Sequence, residues 1–500
     1  MKRASFLLPL MLIAFSASAQ YGRTFENGEQ IPDYSRVGYR WSDRDIPKVG
    51  NDIVLQAPSD GSDATALIQD ALDKAHGAVL LKAGVYRVGG TLNIRRDGVV
   101  LRGEGPDTRV MATGTEQRVL LTIGNRECRR EEIGKRVEIT EDAPMGQLWV
   151  KVAKASSFKK GDRVLIGWDA TREWIHDLKM DSIQERQGSG AKTTQWTPNS
   201  YRLRWERTVI GVENDKVILD NPVIMALTSR YGRGFLVKCN SDRVSESGVE
   251  DIYFESEYDP SAKDPKTGYC NDEKHAWDAV VMRGAENCWA VGVTSRYFGH
   301  GCVNMNSLAK NCTAMNCVSH EPVSIITGGR RYAFCVSNAE LCLYEGCECD
   351  NDRHQFVSGS RTGGPNVFHN CRATDSFSDA GPHHRWATGI LYDCVNVDRD
   401  INIQDRQHMG SGHGWAGANL ILWNCEAGHG IVCQSPWVSA KNYAVGCIGP
   451  KMPGAFNKDG SRPDGVWEHY GEHVTPLSLF DWQLEQRHKS GVDIDAILSK

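Results

Sequence analysis

The chain has 500 residues, among them 50 glycines and 16 cysteines, and a formal net charge of −5. A mildly acidic whole argues against nucleic acid as a partner, and after the first apolar run no stretch is long enough to span a membrane. Length alone does not count domains, because a chain built of repeats grows along one axis.

The chain opens with Met1-Lys-Arg3, an apolar run from Phe6 to Phe15, and Ala17-Ser-Ala19. These three parts predict a secretory signal over 1–19, and hence export to the periplasm or the medium. Gln20 rather than cysteine follows, so no lipid anchor is expected. Residues 20–115 read as a polar, aromatic segment draped on the body, then a helix from Ala64 to Ala75, then the first strands. Asp63 or Ser62 is the expected N-cap, and the helix would plug an open end whose strand edges otherwise invite pairing. Residues 116–235 read as a β-rich insertion overhanging a groove, with strands at Leu148–Val152, Asp162–Ile166 and Val217–Leu219. Its polar stretch at 182–200 is a lid candidate. Regular coils fill 236–450. The tail, 451–500, holds a connector and a helix from Leu477 to Lys489 suited to capping the far end.

Between residues 285 and 447 one phrase recurs, a polar or small residue followed by cysteine, at Cys288, Cys312, Cys347, Cys371, Cys394, Cys425 and Cys447. Steps near 22–24 residues, with longer ones where loops enter, mark a stacked repeat. The units are rich in β-branched and aromatic residues and show no helical period, which predicts an all-β, parallel β-solenoid. Side chains stacked about 4.8 Å apart suit interior thiols better than disulfides. Cys239 and Cys270, outside the phase, are the one pair left open to bridging.

A second recurrence is histidine, at His300, His320, His354, His384 and His429, with matching frames at His354-Gln-Phe-Val-Ser, His384-Arg-Trp-Ala-Thr and His413-Gly-Trp-Ala-Gly. Retained turn chemistry in duplicated coils accounts for any one of them. Arginines crowd the same stations, at Arg330, Arg331, Arg353, Arg361, Arg385 and Arg406, and such a set repels itself unless an anion is expected. Arg353 and Arg399, with acidic neighbours, read as solvated surface.

A uronate polymer offers that anion. β-Elimination needs a cation or donor for the carboxylate, a base and an acid, and arginine, histidine and tyrosine supply these. His354 and His384 are the expected acid–base residues and Tyr332 a proton donor; Arg330, Arg331, Arg361, His383, Arg385, Arg406 and His413 would hold the substrate. No cofactor is required by this chemistry, and calcium is the one ion left open. Hydrolysis would instead use a carboxyl pair drawn from Asp350, Asp352, Asp375, Asp379, Asp398 and Asp405. A metal-assisted variant would use Asp350-Asn-Asp352 or His383-His384. A non-catalytic glycan-binding solenoid is the alternative from another class. The protein is expected to act as a monomer on an anionic polysaccharide.

The segment from Asp60-Gly-Ser-Asp63 to Gly103-Glu-Gly105, with Gly84-Val-Tyr86 inside it, resembles the opening of pectate-lyase-superfamily right-handed parallel β-helix proteins. Arg330-Arg-Tyr-Ala-Phe334, Gly364-Pro-Asn-Val-Phe368 and Arg385-Trp-Ala-Thr-Gly-Ile-Leu-Tyr-Asp393 resemble an exported bacterial subgroup that degrades polysaccharides. The resemblance implies the fold, and a class holding lyases, hydrolases, esterases and epimerases. Many relatives are calcium-dependent with a lysine or arginine base. Here Lys310 is the only lysine between 275 and 440, which favours a metal-independent mechanism of His, Tyr and Arg. Glycosaminoglycan-type substrates are implied by the same resemblance.

Overall fold

The computed structural model describes residues 28–186 and 192–499. The expected signal segment and residues 187–191 of the polar stretch lie outside the described residues. Three parallel ladders wind the chain into a β-helix. The first climbs from Trp289–Val291 to Val466–Glu468. The second climbs from Thr294–Arg296 to Glu426–Ala427. The third runs through Leu92–Ile94, Val119–Ile123, Asp278–Arg283, Gly301–Asn306, Tyr332–Ser337, His354–Ser358, Asp379–Pro382, Asp400–Ile403 and Gly430–Cys433. Neighbouring strands belong to successive coils, so like positions stack; inside, Tyr344, Phe368 and Tyr392 form a ring stack with centroids 5.0 and 5.2 Å apart.

The cysteine phrase has a conformational cause. The residue before the interior cysteine has a left-handed backbone, with φ of 50° at Asn287 and Asn311, 51° at Asn370, 48° at Asn424, 59° at Gly346 and 66° at Gly446. Asparagine and glycine enter that region most readily, and the next residue then turns inward. The seven cysteines, expected to share one phase, occupy two positions of the coil. Cys288 and Cys312 precede first-ladder strands, whereas Cys347, Cys371, Cys425 and Cys447 sit at the corner after them. Cys394 is one residue out of step: it holds the left-handed place itself, with φ of 54°, and Val395 fills the interior. All sixteen thiols are free, including those of Cys239 and Cys270.

The first helix spans Thr65–Lys74 and buries Ile68, Ala71 and Leu72 against the first coils. Its N-cap is Ala64 rather than Asp63 or Ser62. Asp63 still serves the helix from one place further out, its carboxylate accepting from Thr65 N at 2.7 Å. The last long helix, Leu479–Lys489, does not close the far end as expected. Leu479 and Phe480 join Leu343, Val367 and Leu391 on the outer face of the first ladder. The Asp393 carboxylate fixes it there, accepting from Ser478 Oγ, Leu479 N and Phe480 N, and negative charge suits a helix N-terminus.

The insertion is a six-stranded antiparallel sheet whose strands lie between Arg130 and Ser241. It is docked by two contacts. One is apolar, in which Trp168, Trp174, Trp196 and Trp205 share a core with Trp386, Trp415 and Ala418 of the coils. The other is a buried charge network. Glu286, Lys310 and Glu340 alternate in sign on successive coils. Glu206 of the insertion meets Lys310 at 3.3 Å and the Arg243 guanidinium at 2.7 and 2.8 Å. Glu340 in turn takes Arg130 at 2.8 Å and Arg207 at 3.2 Å. Lys310, the scarce lysine of the central coils, is therefore structural and fully buried. Burying such ions is costly, and removing one partner costs more, about 3–5 kcal/mol, because the remaining charges stay uncompensated. Glu206→Gln is expected to lower unfolding free energy by about that amount. Urea titration measures it, and a change under about 1 kcal/mol would show that the network does not hold the insertion.

Candidate active site

Side chains from four successive coils converge on the outer face of the third ladder. Tyr332 and His354 are Cα partners on neighbouring strands, and their rings meet edge to face at 4.8 Å. His383 closes the group: its Nε2 lies 3.0 Å from Tyr332 Oη and its Nδ1 2.9 Å from His384 Nδ1. The His413 ring stands 4.8 Å from that of His383 and 5.0 Å from that of His384. His300, one coil before Tyr332, is 5.3 Å from the tyrosine ring.

The expected similarity of the histidine frames is only partly structural. His354 opens a third-ladder strand, while His384 and His413 lie on the turn before the paired dipeptides Ala387-Thr388 and Gly417-Ala418. His320 belongs to the second ladder, bound to Asp350 at 2.5 Å, and His429 binds Asp400 at 2.6 Å. In several coils, then, the recurring histidine is held by an aspartate one coil away.

His354 is fully buried, with Nδ1 2.8 Å from the Asp379 main-chain oxygen and 3.3 Å from its carboxylate. It sits behind Tyr332 and His383, enclosed and out of direct contact with any ligand, contrary to the expected acid–base role. Arg406, also buried, places Nη1 3.1 Å from the same carboxylate. Burial opposes ionisation of Asp379, but Arg406 and then His354 outweigh it and hold its pKa at about 2.

The remaining arginines are occupied in different ways. Arg330 is not free for substrate: it forks onto Glu273 at 2.6 and 3.0 Å. Arg331 is buried, spent on the main-chain oxygens of Ser324 and Asn351, and its expected contact with substrate is ruled out by that burial. Arg361 and Arg385 share a turn ladder with His413, since Arg361 N donates to Arg385 O and Arg385 N to His413 O. Arg385 also donates to Ser411 Oγ at 2.7 Å, and Arg361 to Ser200 O of the insertion. The insertion flanks this turn closely: a Cβ on Gly412 would lie 2.7 Å from Thr194 O, and one on Gly414 2.9 Å from Trp196.

Desolvation drives the imidazoles toward neutrality. Burial first, then nearby cations and neighbouring imidazoles, lower His354 and His384 to about 4 and His413 to about 3, with His383 lower still. Burial raises Tyr332, against the pull of Arg353 beside it. Arg353 is thus a site residue that its acidic neighbours in sequence disguised. Asp278, Trp277 and Asn304 also border the cluster; the sequence signal for the first two is a Trp-Asp pair one coil before His300-Gly301.

Of the six aspartates considered for hydrolysis, only Asp379 reaches the cluster. Asp352 is buried, and desolvation pushes its carboxyl well above the usual carboxylate range, Asp350 holds His320, and Asp405 binds Arg462 at 3.0 Å. Among the described residues no group of three or more His, Cys, Asp or Glu is arranged to hold a metal ion.

Among solved structures the chain is similar to the tailspike protein gp49 from Pseudomonas phage LKA1, at 12% identity and TM-score 0.46 over 77% of this chain and 56% of that one. It is also similar to a polygalacturonase from Erwinia carotovora ssp. carotovora, at 10% and 0.37 over 87% and 96%. A third is an alginate lyase from Paenibacillus sp. str. FPU-7, at 7% and 0.36 over 84% and 99%. The chain thus spans little more than half of the tailspike's length. No protein-family model and no curated protein matches.

The cluster makes stability depend on pH. An imidazole whose folded pKa is depressed refuses a proton that the unfolded chain accepts, so stability present above the ordinary value of about 6.5 is lost as pH falls toward about 4. His354→Gln, neutral at every pH, is expected to flatten the fall in melting temperature between pH 7 and 5. Thermal melts of the two proteins test this; parallel curves would contradict it.

Proposed function

We propose that the protein is an exported lyase that cleaves a uronate-containing polysaccharide by β-elimination on the third ladder. The observation that carries the reading is the chain Tyr332 Oη–His383 Nε2 (3.0 Å) and His383 Nδ1–His384 Nδ1 (2.9 Å). Neutral imidazoles and a protonated phenol joined in a line take a proton at one end and deliver it at the other.

The working tautomer has His384 Nδ1–H donating to His383 Nδ1 and His383 Nε2–H donating to Tyr332 Oη. His384 Nε2 is then free to accept the proton from the carbon next to the carboxylate. That carbon's electron pair becomes the new double bond, and the bond to the glycosidic oxygen breaks with its electrons on oxygen. Tyr332 gives its proton to that oxygen and recovers one through His383 from His384. No water is consumed, and the tautomers return by exchange with solvent. His354, tied to Asp379, positions His383, and Arg406 lowers the imidazole pKa values. General acid–base assistance of this kind is worth about 10²–10⁴-fold.

Metal-independent action follows from this assignment, and activity should survive a chelator. For hydrolysis the in-register neighbours Asp379 and Asp400 would be the carboxyl pair at this site. Asp379, however, is locked as an ion by Arg406 and His354, and Asp400 is held by His429. Tyr332→Phe is expected to lower kcat by about 10²–10⁴-fold with little change in KM, whereas Asp400→Asn should keep near-full activity. The assay is the unsaturated product's ultraviolet absorbance over a panel of uronate polymers. Reducing ends without absorbance, abolished by Asp400→Asn, would replace this reading with hydrolysis. The pH profile should fall on the acid side only as pH approaches the His384 value of about 4.

A further inference from the structure

Elimination requires something cationic against the substrate carboxylate, and the arginines best placed by sequence are spent on Glu273, on main-chain oxygens and on Asp379. A different unit stands at the other end of the Tyr332 line. His300 Nδ1 lies 2.7 Å from Asp278 Oδ1, and Asn304 Nδ2 donates to the same oxygen at 2.5 Å. That anchors one ring nitrogen and leaves Nε2 for a ligand, on a side chain 20% exposed. The Trp277 ring lies parallel to the imidazole within 8°, its centroid 6.2 Å away, and is half-buried. Gly299 is what admits it, since a Cβ there would stand 2.4 Å from the indole.

We infer that Trp277 and His300 form the subsite for the uronate beside the scissile bond, the sugar's apolar face lying on Trp277 and its carboxylate accepting from His300 Nε2–H. The inference rests on the lyase reading and names the group that neutralises the carboxylate. Asp278 is the charged neighbour acting on His300, with Asn304 on its own strand and Tyr332 on the next. Burial disfavours the imidazolium, but Asp278 outweighs it, so the pKa of His300 is raised while those of His354, His383, His384 and His413 are lowered. Neighbouring groups pushed apart in this way take opposite roles: His300 supplies charge, and the others move protons. The sign follows. A raised pKa keeps the charge below it, so carboxylate binding weakens as pH rises past the ordinary imidazole range.

The test is affinity electrophoresis of the full chain carrying Tyr332→Phe, which spares the polymer, in gels of polygalacturonate, alginate or chondroitin sulfate and their carboxyl-reduced forms. Adding His300→Gln, with folding checked by thermal melt, is expected to weaken retention by about 10–100-fold on the carboxylated polymer that binds, the worth of one charge-assisted hydrogen bond. Retention of the parent should fall from pH 6 to pH 9, that of the His300→Gln protein should not, and the two should bind the reduced polymer alike. Trp277→Ala should weaken both polymers equally. Equal retention of parent and His300→Gln on the carboxylated polymer, or equal loss on both polymers, overturns the subsite. No retention of the parent in any uronate gel overturns the subsite and the lyase reading together. Retention that depends on His300, with hydrolytic products from the unmodified enzyme, supports the subsite and overturns elimination alone.

Discussion

In-register parallel pairing along the third ladder is the constraint from which the site follows. Tyr332 faces His354 because their strands pair residue for residue, and coils about 4.8 Å apart leave their side chains no alternative but contact. Four imidazoles and Arg406 are thereby forced into one partly desolvated place, an arrangement a flexible loop would relax. The chain tolerates it through one counter-ion, Asp379, and through imidazoles that stay neutral. The desolvation that costs stability at low pH also leaves uncharged bases at neutral pH.

The second requirement is a wall. The turn bearing Arg361, Arg385 and His413 stands against the insertion, whose tryptophans share a core with Trp386 and Trp415. The Glu206 network binds the two parts through charges that alternate coil by coil, so it fixes the insertion's register along the axis as apolar contact alone would not. Site and insertion are coupled through Arg361 and Ser200.

The fold was legible because a solenoid writes its period into local chemistry: asparagine or glycine at left-handed corners, a small thiol after it, β-branched and aromatic residues between. What the phrase could not show was that two corners of the coil share it, so Cys288 and Cys347 look alike while occupying different places. The Leu479–Lys489 helix was visible, but its resting place was decided by Asp393, 85 residues from Ser478. For the site, residue types and coils were readable and the directions of side chains were not. Arg330 and Arg331 adjoin Tyr332 in sequence yet turn to Glu273 and to main-chain oxygens. Conversely, Arg353 looked neutralised by its neighbours and instead stands beside Tyr332. Asp278 and Trp277 lie one coil away from His300, a proximity visible only once the register is known.

In the proposed mechanism, proton transfer along Tyr332, His383 and His384 cleaves the polymer without water. Mass spectrometry of the fragments from one defined uronate oligosaccharide tests it most directly. Elimination gives two products whose masses sum to that of the parent, one of them carrying the double bond. Products that together weigh one water more than the parent would contradict it.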